Sequence, residues 1–458
     1  MTKRLIMILA LAFVVGITFS AYAEVQNVKV SGDLLMRAIN RSNFTLCDSD
    51  SDYKYKVGGL MSTVRVRVDA DLTDNVVATV RLLNERSWGT NDLGLSGDMP
   101  PIIAAIYNGV IGGASDAVVI DLAYVTLKEF LYSPLTLTVG RQELRFGNGL
   151  VIGDVDTNLL AAEWQVPLDL SARKAFDAIR ATLNYDPIIV DLVYAKIAEV
   201  APWWMYLYGE PEKNDTDLYG VNIASDLKDL GITGKGELYY FGKINRLPVY
   251  DGDKKDTVNT IGMLVSGKIV DNLTGSLEFA YQFGKYTVDG DDDDRSAYAL
   301  QAILGYNFQT NYAPNLSVSY TYLSGDKNTR DDKERYWDPM YEDQTPNNIV
   351  NALFPNTNVS CFNIMGSMKP KEDLILAANL GFYSLAQKLS GMSSVYFYDS
   401  LADKKDLGIA LDLTATYDYT EDVQLGLTWG MFDPGEVFED AGYDKMATQL
   451  IGSMKVTF

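Results

Sequence analysis

The 458-residue chain contains no histidine. Hydrolytic sites such as the Ser-His-Asp triad or an Asp-His dyad use an imidazole as a base near neutral pH, and many zinc sites use it as a ligand. Carboxylate-only chemistry remains open, but no pair of acidic residues is singled out by its spacing. The sequence therefore predicts a protein that is not an enzyme and that has no metal site or other cofactor.

Long apolar runs are also missing beyond Phe19, so no transmembrane helix is predicted. At the N terminus, Lys3 and Arg4 precede an apolar run, and Ala21-Tyr22-Ala23 forms a small-x-small cleavage site. This order is typical of a secretory signal peptide, whereas an anchoring helix, the alternative, needs roughly 20 apolar residues. We expect residues 1–23 to be a signal peptide and residues 24–458 to be an outer-membrane β-barrel.

The chain lacks an excess of positive charge, with 39 basic and 61 acidic residues and a formal net charge of -22. A chain this acidic is a poor ligand for nucleic acid.

The two cysteines, Cys47 and Cys361, lie far apart, and the sequence leaves open whether they form a disulfide. Proline is scarce at 14 residues, whereas tyrosine is common at 29 and suits a membrane–water interface.

Alternation of apolar and polar residues recurs along the whole chain. Clear examples are residues 63–72, 276–284 and 409–419, whose second face carries charged residues and Gly, Ser or Thr. A soluble β-sandwich also alternates, but a polar face in every segment favours a barrel with lipid outside and a polar lumen inside. The alternating C-terminal segment ends in Phe458 and resembles the signal that the outer-membrane barrel assembly machinery reads.

Short and long connections also alternate along the chain. Short turns include residues 73–75 and 420–422, and the long loops are Asn40 to Tyr55, Ser87 to Ala117, Asn148 to Arg173, Glu199 to Thr216, Asp326 to Asn358 and Lys388 to Lys405. In bacterial barrels the long loops are extracellular. We therefore predict an all-β fold, a transmembrane antiparallel β-barrel of about 18 strands, with 16 as the alternative, surrounded by outer-membrane lipid and lipopolysaccharide.

Two acidic clusters, residues 48–52 and 289–293, resemble the start of a calcium-binding loop. The EF-hand pattern requires Gly at its sixth position and Glu at its twelfth. The first cluster has Tyr53 and Gly59 there, and the second also fails at both positions. The simpler interpretation is solvated loop charge, which divalent ions could bridge to lipopolysaccharide.

Projecting the strands inward by their alternation places basic side chains of the N-terminal third in the lumen. This set comprises Lys29, Arg37, Arg65, Arg67, Arg81 and Arg180, accompanied by Asp33, Asp69, Asp71 and Glu85. The C-terminal half contributes Glu278, Asp412, Asp418, Gln424 and many small polar residues. One wall should be arginine-rich and the opposite wall neutral to acidic, an arrangement by which pores select solutes. The alternative is a ladder of Arg–acid pairs that only stiffens the wall.

In one predicted strand the alternation of apolar and polar residues changes phase near residue 141. Leu135 and Val139 point outward, yet Leu144 and Phe146 are apolar in the other phase. A β-bulge around Gly140-Arg141 would reconcile the two halves. It would also turn three further charged side chains into the lumen, namely Arg141, Glu143 and Arg145.

The stretch around this irregularity resembles the signature of the alginate-export porin family. It runs from Gly140 to Gly149 and ends in Ile152-Gly153, and the family's second motif is matched by Trp164, Arg173 and Phe176-Asp177-Ala178-Ile179-Arg180. The resemblance implies an 18-stranded barrel for passive export or diffusion of an anionic polysaccharide or similar solute. The chain departs from the family at Leu150, where Arg is frequent, and in the short turn at residues 420–422, where the alginate exporter has a long plug.

The loop Ser87 to Ala117 contains an unusually apolar segment, residues 99–107. Exposed apolar surface usually marks a contact, so we expect this loop to fold into the lumen as the size filter, with a protomer interface as the alternative. Taken together, the sequence predicts a channel for anionic or carbohydrate solutes. The competing hypothesis is a structural or adhesive barrel with an occluded lumen.

Overall fold

A computed structural model describes residues 26–44, 46, 56–88, 118–155, 168–199, 215–228, 231, 233–246, 256–288, 291–328, 331–388, 404–439 and 443–458. The predicted signal peptide, Cys47, Trp164, the acidic cluster at 48–52 and the apolar segment 99–107 lie outside these residues and stay predictions. Among the described helices, none combines the length and apolar character that crossing a membrane requires.

β-strands make up most of the described chain. They are β1 (Asn27–Ser42), β2 (Lys56–Thr73), β3 (Val76–Ser87), β4 (Val119–Leu127), β5 (Leu135–Glu143), β6 (Ala175–Asn184), β7 (Ile188–Glu199), β8 (Asp215–Asp226), β9 (Thr233–Asn245), β10 (Asp256–Val270), β11 (Leu273–Val288), β12 (Asp291–Asn307), β13 (Asn315–Leu323), β14 (Lys333–Glu334), β15 (Val359–Lys371), β16 (Leu374–Leu385), β17 (Asp406–Asp418), β18 (Val423–Pro434) and β19 (Ala447–Thr457). The only described helices are short: a 3-10 turn at Leu168–Leu170, α1 (Asn348–Asn351) and α2 (Glu436–Glu439).

The predicted count of 18 barrel strands is confirmed. The two-residue β14 pairs in parallel with β12, while β13 pairs directly with β15, so β14 is not part of the wall. The other 18 strands form a closed antiparallel barrel.

Closure depends on the seam between the first and last strands. β1 pairs with β19 from Asp33 against Thr457 to Ser42 against Thr448. The terminal Phe458 extends this seam, because its N–H donates to the Gly32 carbonyl at 3.0 Å and the Gly32 N–H donates to the Phe458 carbonyl at 2.8 Å. In lipid an open sheet edge would leave these groups unpaired, so the seam is what allows the sheet to span the membrane.

The two faces of the wall differ in composition, as the alternation predicts. On β3, Val80 and Leu82 are each 41% exposed, whereas Arg81 between them is only 9% exposed. On β11, Leu277 is exposed and the next residue, Glu278, is completely buried. The exposed apolar face suits contact with lipid. The buried polar face is the inner one, because its side chains contact connections between strands that fold into the barrel.

Two of these connections fold into the lumen. Residues 144–155, called insert 1, follow β5, and residues 335–358, called insert 2, precede β15. Together with inner-wall side chains they form the main apolar core, whose insert members include Leu144, Phe146, Leu150, Ile152, Trp337, Met340, Tyr341, Ile349, Leu353 and Phe354. The connection Asp326 to Asn358, expected to be an extracellular loop, therefore lies in part inside the barrel.

The bulge expected at Gly140-Arg141 is absent, and this prediction is wrong. β5 pairs with β4 and with β6 without any register shift, and Gly140 instead has a positive φ of 123°. A bulge does occur on β4, where the register shifts opposite Arg81. Arg141 pairs with Asp177, which shares its face of β6 with the exposed Ile179, so Arg141 lies on the outer face.

We predict that Gly32→Ala weakens the seam, because a Cβ there would lie 2.5 Å from the Arg65 carbonyl and 2.6 Å from the Phe458 ring. Overpacking of this kind costs about 1–3 kcal/mol. The fraction of folded, heat-modifiable protein on gels measures the effect. Gly452→Ala on β19 is the matched control, since a Cβ there meets nothing within 4 Å. Equal folded fractions for the two variants would contradict the importance of the seam.

Candidate functional site

The inner wall of β1–β3 carries two bidentate ion pairs. Arg65 on β2 donates to Asp33 on β1 through Nε at 2.8 Å and Nη2 at 3.1 Å. Arg67 donates to Asp69 on the same strand at 2.8 and 2.9 Å, and Thr79 also donates to this carboxylate at 2.7 Å. Both carboxylates are thus held by fixed donors, and each guanidinium plane is fixed along the wall.

The pairing continues across β3 to β7. Arg81 contacts the carboxylates of Asp121 and Glu143, each at 2.5 Å. Arg180 on β6 donates to Asp191 on β7 at 2.7 Å and lies over the Phe146 ring of insert 1, 5.5 Å from its centroid. Arg180 therefore marks the point where the charged wall meets the insert.

In most of these pairs the guanidinium is more exposed than its carboxylate. The side chain of Arg65 is 26% exposed against 14% for Asp33, and that of Arg180 is 32% exposed against 5% for Asp191. Arg67 is likewise more exposed than Asp69. Solvent in the lumen therefore meets N–H donors, with the carboxylates set behind them.

Further along the inner face of β1–β3, near Arg41 and Glu85, the side chains contact a chain segment instead of open lumen. Arg37 donates to the Leu170 carbonyl at 2.9 Å, and Arg41 forms a bidentate ion pair with Asp169. Glu85 accepts from the Ala172 N–H at 2.7 Å. Residues 168–172 are thus fixed against β1–β3.

On the opposite wall, carboxylates hold insert 1 by its backbone. Glu237 accepts from the Gly147 N–H at 3.0 Å, and Glu278 accepts from the Asn148 N–H at 2.9 Å and from the Tyr239 hydroxyl at 2.8 Å. Gly147 is required here, because its φ is positive and a Cβ would lie 2.4 Å from Glu278 Oε1. Gly147, within the stretch that resembles the family signature, therefore allows the insert to approach the wall.

Insert 2 is held in the same way. Gln282 on β11 donates to the Asp338 carbonyl at 2.7 Å and accepts from the Asp338 N–H at 2.9 Å, while Lys243 pairs with the Asp338 carboxylate at 2.6 Å. At the other end, Asp412 accepts from the Asn348 N–H at 2.6 Å at the start of α1. Both ends of insert 2 are therefore anchored to the wall.

The two inserts also pair with each other. The Tyr341 N–H donates to the Val151 carbonyl at 3.0 Å, and the Gly153 N–H donates to the Tyr341 carbonyl at 2.7 Å. The Asp343 carboxylate accepts from Arg145 and from Lys174, which precedes β6. The inserts thus form one body that fills part of the lumen.

The residues singled out in the sequence fall into three groups. Arg65, Arg67, Arg81 and Arg180 share one inner wall, and Glu143 at the end of β5 contacts Arg81; Arg37 and Arg145 contact the inward-folded segments; and Arg141 lies on the outer face. A pore-lining role for the first two groups stays a prediction.

Sequence reasoning missed insert 2, although a signal was present. The insert carries Trp337, Tyr341 and Phe354 inside a stretch taken as an extracellular loop, and all three are buried. The same criterion, an apolar run in a loop, selected residues 99–107, which lie outside the described residues. Leu150, the departure from the family motif, is also buried in this core, at 1% exposure.

The sequence is similar to a known family, and the fold is similar to known structures. The alginate export family model matches residues 44–451. No curated protein matches the sequence. Solved structures with a similar fold include OccAB4 of Acinetobacter baumannii, at TM-score 0.54 and 13% identity over 95% of this chain and 100% of that one. OpdK, an outer membrane protein of Pseudomonas aeruginosa, gives 0.53 and 10% over 94% and 99%, and OccD3 of the same organism gives 0.54 and 11% over 95% and 94%.

Burial raises the pKa of Glu342 in insert 2 to about 8, and the nearby Asp343 and Asp154 carboxylates act in the same direction. The unfolded-state pKa of a glutamate is about 4.3. The folded state therefore binds the proton more tightly, and the stability from this group is full below the unfolded pKa and is lost as the pH rises through the folded pKa.

We predict that the melting temperature in detergent falls between about pH 5 and about pH 9, and that Glu342→Gln flattens this dependence. Burial likewise raises the pKa of Glu334 to about 7, so Glu334→Gln is the companion variant and should flatten the lower part of the curve. A wild-type melting temperature that rises over this range would contradict the assignment.

Proposed function

The chain belongs to the alginate export family and is an outer-membrane channel, and we propose that it passes anionic or sugar-type solutes by diffusion between the inserts and the charged wall of β1–β6. No step of this function requires catalysis, and we assign none. Outer-membrane lipid surrounds the barrel. Lipopolysaccharide at the extracellular end and the barrel assembly machinery, acting on the strand that ends in Phe458, complete the proposed set of partners.

The observation that carries the proposal is the row of guanidinium groups on the inner wall. Arg65, Arg67 and Arg180 retain between 26% and 38% of their side-chain exposure inside the barrel, so water reaches this wall. Their N–H groups are the natural partners of carboxylate and hydroxyl oxygens. A solute rich in such oxygens can exchange its water for these donors as it passes.

The inserts supply the size filter of the proposed channel. Glu237, Glu278 and Asp412 hold their backbone, and apolar packing against β6–β19 supports them. A constriction fixed at both ends keeps its width without any moving part. In this proposal insert 2 takes the role that the sequence had suggested for the loop Ser87 to Ala117.

The alternative is a barrel with an occluded lumen. It is favoured by the extent of the core, because wall residues such as Ala280, Ala297 and Ala410 are fully buried beneath the inserts. The two functions differ in a single property, which is ion conductance across a planar bilayer. A purified protein that inserts and does not conduct would establish the occluded barrel.

We predict that replacing residues 338–353 by a short Gly-Ser linker increases the single-channel conductance severalfold, because the constriction is removed. The barrel should persist, since β13 pairs directly with β15 without help from the connection between them. Tyr194→Phe, a change on the exposed outer face, is the control and should leave conductance unchanged. An unaltered conductance in the shortened protein would mean that insert 2 does not limit the pore.

A further inference from the structure

The part of the inner wall that carries Arg65, Arg67, Arg81 and Arg180 has almost no net charge, because each of these guanidinium groups has a carboxylate partner. We propose that the channel therefore selects solutes by direct hydrogen bonding rather than by a long-range electrostatic field. Its preferred solutes are neutral, polyhydroxylated molecules such as oligosaccharides rather than polyanions. This inference rests on the proposed channel function and names the solute class within it.

The charge balance follows from the ion pairs on the inner wall of β1–β7. Four guanidinium groups are matched there by five carboxylates, namely Arg65 with Asp33, Arg67 with Asp69, Arg81 with Asp121 and Glu143, and Arg180 with Asp191. All of these contacts are 2.5 to 2.8 Å long. At a Debye length of about 8 Å, such close pairs act as dipoles and produce little field in the lumen.

Cations near the inserts are compensated in the same way. Lys243 pairs with Asp338, Lys235 pairs with Glu237 at 2.7 Å, and Arg145 and Lys174 share Asp343. Glu278 and Asp412, in contrast, contact backbone N–H groups and neutral side chains, and no cation lies within ion-pair distance of them among the described residues. The paired residues of the inner wall and the inserts therefore contribute no basic surplus that could attract a polyanion from a distance.

The inner faces of β15 and β17–β19 carry a group of hydroxyl side chains. Thr414 on β17 and Thr428 on β18 lie with their hydroxyls 3.3 Å apart. Ser453 lies on the adjacent strand β19, and Ser367 lies on β15, which β16 separates from β17. Thr and Ser hydroxyls both donate and accept hydrogen bonds. These hydroxyls can hydrogen-bond a sugar ring as donors or acceptors, and they offer no charge to a carboxylate.

The chemistry of an Arg–Asp pair fits a sugar diol better than an isolated anion. Its exposed N–H edge donates to one hydroxyl oxygen, and the carboxylate beside it accepts from the next hydroxyl, as at Arg65 and Asp33. A solute carboxylate meets the same donors but is repelled by the paired acid and must shed a larger hydration cost. Contact recognition of this kind works on neutral solutes and gives polyanions no advantage.

Reversal potentials under a KCl gradient test the charge balance directly. We expect wild-type permeabilities for K⁺ and Cl⁻ within about threefold of each other. Asp33→Asn with Asp69→Asn leaves two guanidinium groups uncompensated and should shift the ratio toward Cl⁻ by about threefold or more. The matched pair Arg65→Gln with Arg67→Gln should shift it toward K⁺, and heat-modifiability on gels checks that both variants fold. A strong Cl⁻ preference of the wild-type channel would overturn the inference.

Liposome swelling tests the solute class. The probes are a uronate oligosaccharide and its carboxyl-reduced neutral counterpart, which match in length and shape. We expect the neutral probe to enter faster in the wild-type protein and the Asp33→Asn, Asp69→Asn variant to reduce or reverse this difference. Faster entry of the uronate into liposomes that carry the wild-type protein would overturn the inference, although the protein would still be a channel. A protein that conducts no ions and admits neither probe would contradict the proposed function itself.

Discussion

Carboxylates on the inner wall that accept backbone N–H groups are the interaction on which the lumen depends. A segment that leaves its strand and enters a barrel loses water from its peptide groups, and each unpaired N–H costs free energy. Glu85, Glu237, Glu278 and Asp412 each take up such a group from a segment that has folded inward. The inserts can therefore keep largely irregular backbone, with only the short α1 in insert 2, and the apolar core can form between them and the wall.

The sequence carried enough information for the barrel but not for its contents. Alternation with period two is local, and it placed Arg65, Arg67, Arg81 and Arg180 on the inner face, where their carboxylate partners now lie. The inserts depend on contacts between residues more than a hundred positions apart, such as Asn148 with Glu278. No local pattern records such contacts, so insert 2 was taken for an extracellular loop.

The error at Arg141 has a physical lesson. Leu144 and Phe146 are apolar because they belong to insert 1 and its core, and they are not part of β5, which ends at Glu143. Their positions therefore give no information about which side chains of β5 face the lumen. Simple alternation along β5, which places Arg141 on the outer face, is correct. Bulges redirect side chains only where the register shifts, and here that occurs opposite Arg81.

The lumen contains two sets of carboxylates, one paired with arginines of the wall and one bonded to the backbone of the inserts. If the arginines of β2 and β3 were free, they would compete with backbone N–H groups for the carboxylates that hold the inserts, and a guanidinium is the stronger partner. Asp33, Asp69 and Asp121 each pair with a guanidinium on their own or a neighbouring strand, so the arginines and the backbone of the inserts have separate carboxylate partners. Charge compensation along the wall and the fixed inserts thus depend on two separate sets of carboxylates. The net charge of the wall can therefore change while the inserts that set the width of the channel stay in place.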